Sequence, residues 1–175
     1  MEIGRSMDKT LDFVALQRFV LNELAQRLSP QLTYHGTHHT KDVLTVCKQY
    51  ARRLGIKGRE AALLKTGALV HDIGFLHTYH NHEEQGVAMI QEMLPRFGFN
   101  RQEISLISGL IMATKVPQHQ NTLGEKEKKK AFRLLGVNVC FWMILKGRFP
   151  FLSSKKEALS QILIDSEPSL IMIGF

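Results

Sequence analysis

Histidines are concentrated in one part of this 175-residue chain, where all but one of the eight lie between His35 and His82. Two of them stand beside acidic residues: His71 precedes Asp72, and His82 precedes Glu83. Imidazole nitrogen together with carboxylate oxygen suits a divalent transition metal better than calcium. The chemistry to consider first is therefore that of a bound metal ion.

The His71-Asp72 pair interrupts the apolar run ALLKTGALV-HD-IGF, in the segment expected to form the most buried helix. An ionised aspartate in such surroundings is costly unless it is paired or bound to a cation. Adjacent side chains of a helix point about 100° apart, so both can reach an ion that lies between them. The structural alternative is that Asp72 pairs with a lysine or arginine and that His71 is a hydrogen-bonded core histidine.

The segment YHGTHHTKDV supplies a further candidate ligand. His35 and His39 are four residues apart, which places them on one face if both are helical. A ligand from this neighbouring helix favours the metal site over the structural alternative. The remaining members of the histidine-rich stretch follow no such pattern and are predicted to be loop or surface residues, namely His38, His77 and His80.

The segments YHGTHHTKDV, ALVHDIGF and NHEEQGVAMI, in that order, resemble the HD superfamily of metal-dependent phosphohydrolases over roughly 32–116. The resemblance implies a compact all-helical bundle, hydrolysis of a phosphate ester or anhydride, and metal ligands at His39, His71 and Asp72. Candidate ions are manganese, iron, zinc, cobalt and nickel. A bound ion would lower the pKa of a coordinated water to about 7, and Asp72 could also orient or deprotonate that water.

Three further residues gain candidate catalytic roles from the resemblance. In the similar YHN-x-x-H stretch of cyclic-nucleotide phosphodiesterases the first histidine protonates the leaving group, which implies that role for His35, although Gly36 replaces the asparagine. His82 and Glu83 match a His-Glu pair of small members, where a second metal, phosphate binding and a hydrogen bond to a ligand histidine are all open. His82 could also donate the proton. Glu84 could share the role of Glu83, although a helix dipole explains acidic residues at a helix N-terminus equally well.

The chain departs from the family after the ATK segment at 113–115, where relatives of this size carry an acidic DAD-like motif whose Asp completes the metal sphere. The corresponding stretch, GEKEKKKAFRLLG, contains no aspartate, and Asp165 is the only one after Asp72. Three interpretations are open. In the first, Asp165 is the fourth ligand and the segment before it contains an insertion. In the second, water or another side chain completes the metal sphere. In the third, a frame slip in an adenine-rich coding run makes the chain from Lys126 onward abnormal. The last two predict weakened metal binding and a degraded or inactive member.

Five helices are predicted to position these residues, because apolar side chains recur at three- and four-residue steps between capping and terminating residues. They cover about 8–29, 58–74, 82–97 and 101–114, with the second helix starting near Thr37 or Thr40 and running to about Arg53. Val14 belongs to the apolar stripe of the first helix. A helix near 154–164 follows. No alternating apolar pattern typical of strands competes in the first five segments, so the predicted fold class is all-α.

Composition agrees with one soluble globular domain over 1–175, of which 117–175 is atypical: 44% of the residues are hydrophobic and 22% charged. Two cysteines are too few for a disulfide framework, and no leader or membrane-spanning stretch is evident, so the expected location is the cytoplasm. The net charge of +7 favours polyanions, but a solvated basic segment at 126–133 can account for much of it.

The leading hypothesis is an enzyme that hydrolyses a small phosphorylated substrate, nucleotide-like, because His39, His71 and Asp72 are intact. The alternative is a non-catalytic or degraded HD module that binds a nucleotide or a partner without turnover, which the missing downstream aspartate favours. A nucleic-acid-binding protein ranks last, since neither a binding motif nor an aromatic stacking array accompanies the positive charge.

Overall fold

The structure, a computed structural model, describes residues 10–32 and 35–115. These residues form α-helices and short 3-10 helices and contain no strand. The α-helices are α1 (Phe13–Arg27), α2 (Thr37–Arg53), α3 (Gly58–Val70), α4 (His82–Met93) and α5 (Arg101–Ala113), and the 3-10 helices are Ile73–Leu76 and Leu94–Phe97. The predicted all-α class is confirmed for this part of the chain. The helix expected near 154–164 and Asp165 lie outside the described residues.

Local sequence explains where several helices begin and end. The Asp12 carboxylate accepts a hydrogen bond from the Ala15 amide (2.9 Å) and starts α1. Asn100 and Glu103 form a reciprocal capping box at the start of α5. Gly98, with a left-handed φ of 84°, ends the 3-10 helix Leu94–Phe97. Helices α1 and α5 and the 3-10 helix Leu94–Phe97 are therefore bounded by short-range signals.

Helix α3 is the centre of the core, packed against α1, α2 and α5. Its Leu64, Ala68 and Val70 are fully buried. This agrees with the expectation that the segment before the His-Asp pair forms the most buried helix. The His-Asp pair thus follows directly on a helix that is enclosed on several sides, and buried helices of this kind are the least prone to local unfolding.

One predicted helix start, two predicted helix ends and one predicted core residue were wrong. α1 begins at Phe13 and not near residue 8, because Asp12 caps it. α3 ends at Val70 instead of Gly74, because the backbone leaves helical geometry at Asp72 (φ −104°, ψ 7°). α4 ends at Met93, since Pro95 has no N–H to continue the helical ladder. Val14 is 78% exposed; it lies about 200° around α1 from the buried Leu16.

None of the helices in the described ranges is both long and apolar enough to cross a membrane.

Candidate metal centre

Three side chains converge where α2 faces the end of α3. His39 Nε2 lies 3.2 Å from His71 Nε2 and 3.5 Å from Asp72 Oδ2, and His71 Nε2 lies 3.2 Å from Asp72 Oδ2. Ligands held at about 2.0 to 2.2 Å from one tetrahedral ion would lie about 3.4 Å apart. The spacing and chemistry of these donor atoms therefore fit a single divalent ion without rearrangement.

Asp72 has no lysine or arginine partner among the described residues. Its ionic contacts in this part of the chain are all with histidines, and only 5% of the residue is exposed. The structural alternative required a cationic lysine or arginine beside this carboxylate. The environment instead leaves Asp72 facing a group of imidazole nitrogens, which is the arrangement that a cation would complete.

A backbone contact fixes the proton of His71. Its Nδ1 lies 3.0 Å from the Ala68 carbonyl oxygen. A carbonyl can only accept, so Nδ1 carries the proton and the other ring nitrogen, Nε2, faces His39 and Asp72. Metal-ligating histidines are commonly oriented by such a hydrogen bond from the nitrogen that does not bind the metal.

The pKa shifts of His39 and Asp72 favour a neutral imidazole and an ionised carboxylate, which are forms that can bind a cation. Burial, reinforced by the neighbouring His71, lowers the pKa of His39 to about 4, so this imidazole is neutral at pH 7. Burial also opposes the charges of Asp72 and His71, but their mutual attraction prevails: the pKa of Asp72 lies well below its usual value, and that of His71 is raised. The raised pKa of His71 favours a proton beside the carboxylate, and metal binding would displace such a proton.

Two further histidines flank Asp72 and face different carboxylate oxygens. His35 Nδ1 lies 2.8 Å from Oδ2, a hydrogen-bond distance, and its side chain is 28% exposed. His82 Nε2 lies 3.9 Å from Oδ1, while its Nδ1 donates to the Tyr79 carbonyl oxygen (3.4 Å). Burial lowers the pKa of His82. His35, His39 and Asp72 also offer ligand atoms within 4.8 Å of one another, so His35 is a candidate ligand as well as a candidate proton donor.

The two glutamates at the start of α4 point to different surroundings. Glu83 is buried, with Oε2 3.4 Å from His82 Nδ1. Glu84 is exposed and forms an ion pair with Lys115, whose hydrogen bond lowers the pKa of Glu84. Only Glu83 therefore adjoins the histidine cluster. The histidines predicted to lie in loops or at the surface are all exposed, namely His38, His77 and His80.

Direct backbone contact brings α4 to the cluster. A Cβ atom on Gly74 would lie 1.8 Å from the His82 carbonyl oxygen, so only glycine permits the 3-10 helix Ile73–Leu76 to approach the first turn of α4 this closely. The same turn places the Phe75 ring against His35 and His82. Sequence reasoning missed Phe75, because a phenylalanine within an apolar run gives no sign of a role beyond the core.

Comparison with known proteins gives a family match over the part of the chain that holds most of these residues. A family model described as the HD domain matches residues 36–135. This range begins one residue after His35 and contains the other clustered residues, namely His39, His71, Asp72, His82 and Glu83. No curated protein and no solved structure matches the chain.

Proposed function

The chain belongs to the HD domain family, whose model matches more than half of it, and on that premise we propose that it is a metal-dependent phosphohydrolase acting on a nucleotide or a related phosphate compound. The observation that carries the proposal is the convergence of His39, His71 and Asp72 on one buried point. Proteins of this family are typically phosphohydrolases, and a buried imidazole and carboxylate set suits the metal that such hydrolysis uses.

His39 Nε2, His71 Nε2 and Asp72 Oδ2 would hold the ion, which we expect to be manganese, iron, zinc, cobalt or nickel. When bound, it supplies Lewis acidity toward a phosphoryl oxygen and lowers the pKa of water at the site. Asp72 remains ionised because of its histidine neighbours. Its carboxylate can therefore orient the attacking water and accept a hydrogen bond from it.

His35 and His82 are the candidate proton donors to the leaving oxygen. The Nδ1–H of His35 donates a hydrogen bond to Asp72, so the proton for the leaving oxygen would come from Nε2 of the protonated imidazole. The side chain is 28% exposed, which leaves the imidazole accessible to a substrate. His82 is more buried, and Glu83 adjoins its Nδ1. We assign the donor role first to His35, with His82 facing the other oxygen of Asp72 and Glu83 helping to orient His82.

The alternative is an HD module that binds its ligand without turnover. One observation favours it: the stretch where relatives carry the DAD-like aspartate has none. Within the described residues the carboxylates of the cluster are those of Asp72 and Glu83. Such a module would retain the His39, His71 and Asp72 cluster and still bind a phosphorylated ligand.

Metal analysis of the purified protein, followed by a panel of nucleotide monoesters and diesters with each divalent ion, tests the proposal. We expect bound metal together with hydrolysis that chelation abolishes. Asp72→Asn should remove both, whereas Asp42→Asn, at an exposed position of α2, should remove neither. Ligand binding with no turnover under any ion would support the binding module, and metal-independent turnover would contradict the proposed mechanism.

A further inference from the structure

Phe75, in the 3-10 helix Ile73–Leu76, contacts both histidines that flank Asp72. Its ring centroid lies 3.7 Å from that of His82, with 17° between the planes, and 4.2 Å from that of His35, with 35° between the planes. The two imidazole centroids are 6.4 Å apart. Phe75 is only 6% exposed. The three rings therefore form one packed group at the edge of the metal cluster.

The two histidines come from different parts of the fold. His82 is the first residue of α4, whereas His35 precedes α2 and belongs to no helix. Among the described residues, Phe75 is the one whose ring contacts both of them. Aromatic pairs favour particular relative orientations, so contact with the phenyl ring restricts rotation of each imidazole about its side-chain bonds.

These orientations matter because each histidine faces its own oxygen of Asp72. His35 Nδ1 lies 2.8 Å from Oδ2, and His82 Nε2 lies 3.9 Å from Oδ1. A rotated imidazole would turn its nitrogen away from the carboxylate. No ring contact joins Phe75 to His39 or His71 within the described ranges, so loss of the phenyl ring should disturb the flanking pair selectively.

We propose that Phe75 is a positioning residue that holds His35 and His82 in the orientations by which each faces a separate oxygen of Asp72. A role of Phe75 in catalysis rests on the proposed function, in which these histidines take part in proton transfer. In the proposed function the ion is held by His39, His71 and Asp72, while His35 serves as the proton donor and not as a ligand. Loss of the phenyl ring should therefore reduce turnover much more than metal affinity.

The first test needs no activity. Imidazole signals of the metal-free full-length chain are compared by nuclear magnetic resonance in the wild type, Phe75→Leu, Phe75→Tyr and the control Phe99→Leu, which alters another buried phenylalanine. We expect the His35 and His82 signals to move toward those of free imidazole in Phe75→Leu. They should stay near the wild type in Phe75→Tyr and Phe99→Leu, while His39 and His71 change little in all variants.

The second test separates turnover from metal binding. In Phe75→Leu, kcat should fall roughly ten- to hundredfold, the usual cost of losing a residue that orients a site group, while Co²⁺ binding by calorimetry is unchanged. Phe75→Tyr should restore kcat. Unchanged imidazole signals in Phe75→Leu, or equal changes in Phe99→Leu, would overturn the proposal. A wild type without turnover would contradict only the proposed function, since the imidazole signals judge Phe75 independently.

Discussion

At the scale of single residues, the central feature is a carboxylate that remains ionised inside the protein. Asp72 is 5% exposed and is surrounded by histidines. Removing a charge from water costs several kcal/mol unless neighbours compensate. The attraction between His71 and Asp72 offsets part of this cost, and it raises the pKa of His71 while it lowers that of Asp72.

The first prediction concerns Asp72→Ala and Asp165→Ala. Asp72→Ala should abolish metal binding and hydrolysis, while folding survives or improves because a buried charge is gone. Asp165→Ala should change bound metal little, since its segment does not match the family's acidic motif. Metal content, turnover and thermal unfolding measure the difference. Equal, severe losses with intact folding would show that Asp165 completes the site, and full activity in Asp72→Ala would exclude the HD-hydrolase function.

At the scale of elements, two connections hold the helices in place around the cluster. Gly74 lets the 3-10 helix Ile73–Leu76 contact the start of α4, which brings His82 to Asp72. At the far end of α3, Arg59 donates to both Glu103 oxygens at 2.5 and 2.7 Å and to the Gly98 carbonyl oxygen at 2.8 Å. The first connection serves the site, and the second joins the first turn of α3 to that of α5.

Gly74→Ala tests the first connection. The new methyl group would collide with the His82 carbonyl oxygen, so we expect a loss of about 1–3 kcal/mol in the free energy of unfolding together with weakened turnover. Gly109→Ala in α5 is the matched control, because a Cβ atom at Gly109 would meet no other atom within 4 Å. That change should stabilise by about 0.5–1 kcal/mol through helix propensity. Urea unfolding compares them, and a Gly74→Ala variant as stable as the wild type would contradict the close contact.

The connection at Glu103 predicts a dependence of stability on pH. The Arg59 hydrogen bonds lower the pKa of Glu103 below its ordinary value of 4.5. A depressed folded-state pKa stabilises the protein above the unfolded-state pKa, and this contribution is lost as pH falls through the folded-state value. The difference in unfolding free energy between the wild type and Glu103→Gln should thus be full at pH 7 and shrink below pH 4.5.

Glu60→Gln, at an exposed position of α3, is the control for general effects of acid. A difference between the wild type and Glu103→Gln that stays constant from pH 7 to pH 3 would show that the ion pair contributes nothing through ionisation. The comparison uses denaturant midpoints of the wild type and of both variants, determined at each pH.

At the scale of the whole molecule, the candidate metal centre joins separate parts of the chain. His39 comes from α2, His71 and Asp72 follow α3, and His82 begins α4. Because an unfolded chain does not keep these groups together, a ligand of the cluster binds the folded state preferentially. Metal should accordingly stabilise the entire helical array and not only the residues that hold it.

This linkage gives a prediction for thermal unfolding. Co²⁺ at a hundredfold excess over its Kd should stabilise the wild type by about 2.7 kcal/mol and raise Tm, an effect that chelation reverses. Asp72→Asn should show no such rise. Calorimetric scans with and without the ion measure it. An equal rise in both proteins would mean that the ion binds elsewhere on the surface.

The sequence by itself determined the helical elements and the set of residues that could do chemistry. Helical periodicity and caps follow from local stereochemistry, so α2 was predicted to begin near Thr37 or Thr40 and to end near Arg53, and it spans Thr37–Arg53. The histidine and aspartate pattern, with its resemblance to the HD family, brought His39, His71 and Asp72 into one hypothesis. Helix periodicity and motif spacing are properties of short segments, so they can be read from the sequence without knowledge of the fold.

Only the tertiary structure decided which of those residues meet. Three features depend on how the elements pack together. Glu83 adjoins the histidine cluster whereas Glu84 does not, His35 and His82 face different oxygens of Asp72, and Val14 is exposed. The contacts of Gly74 and Phe75 join positions with no local signal linking them. Such distances arise from packing between elements, where one interhelical contact sets several side-chain positions at once.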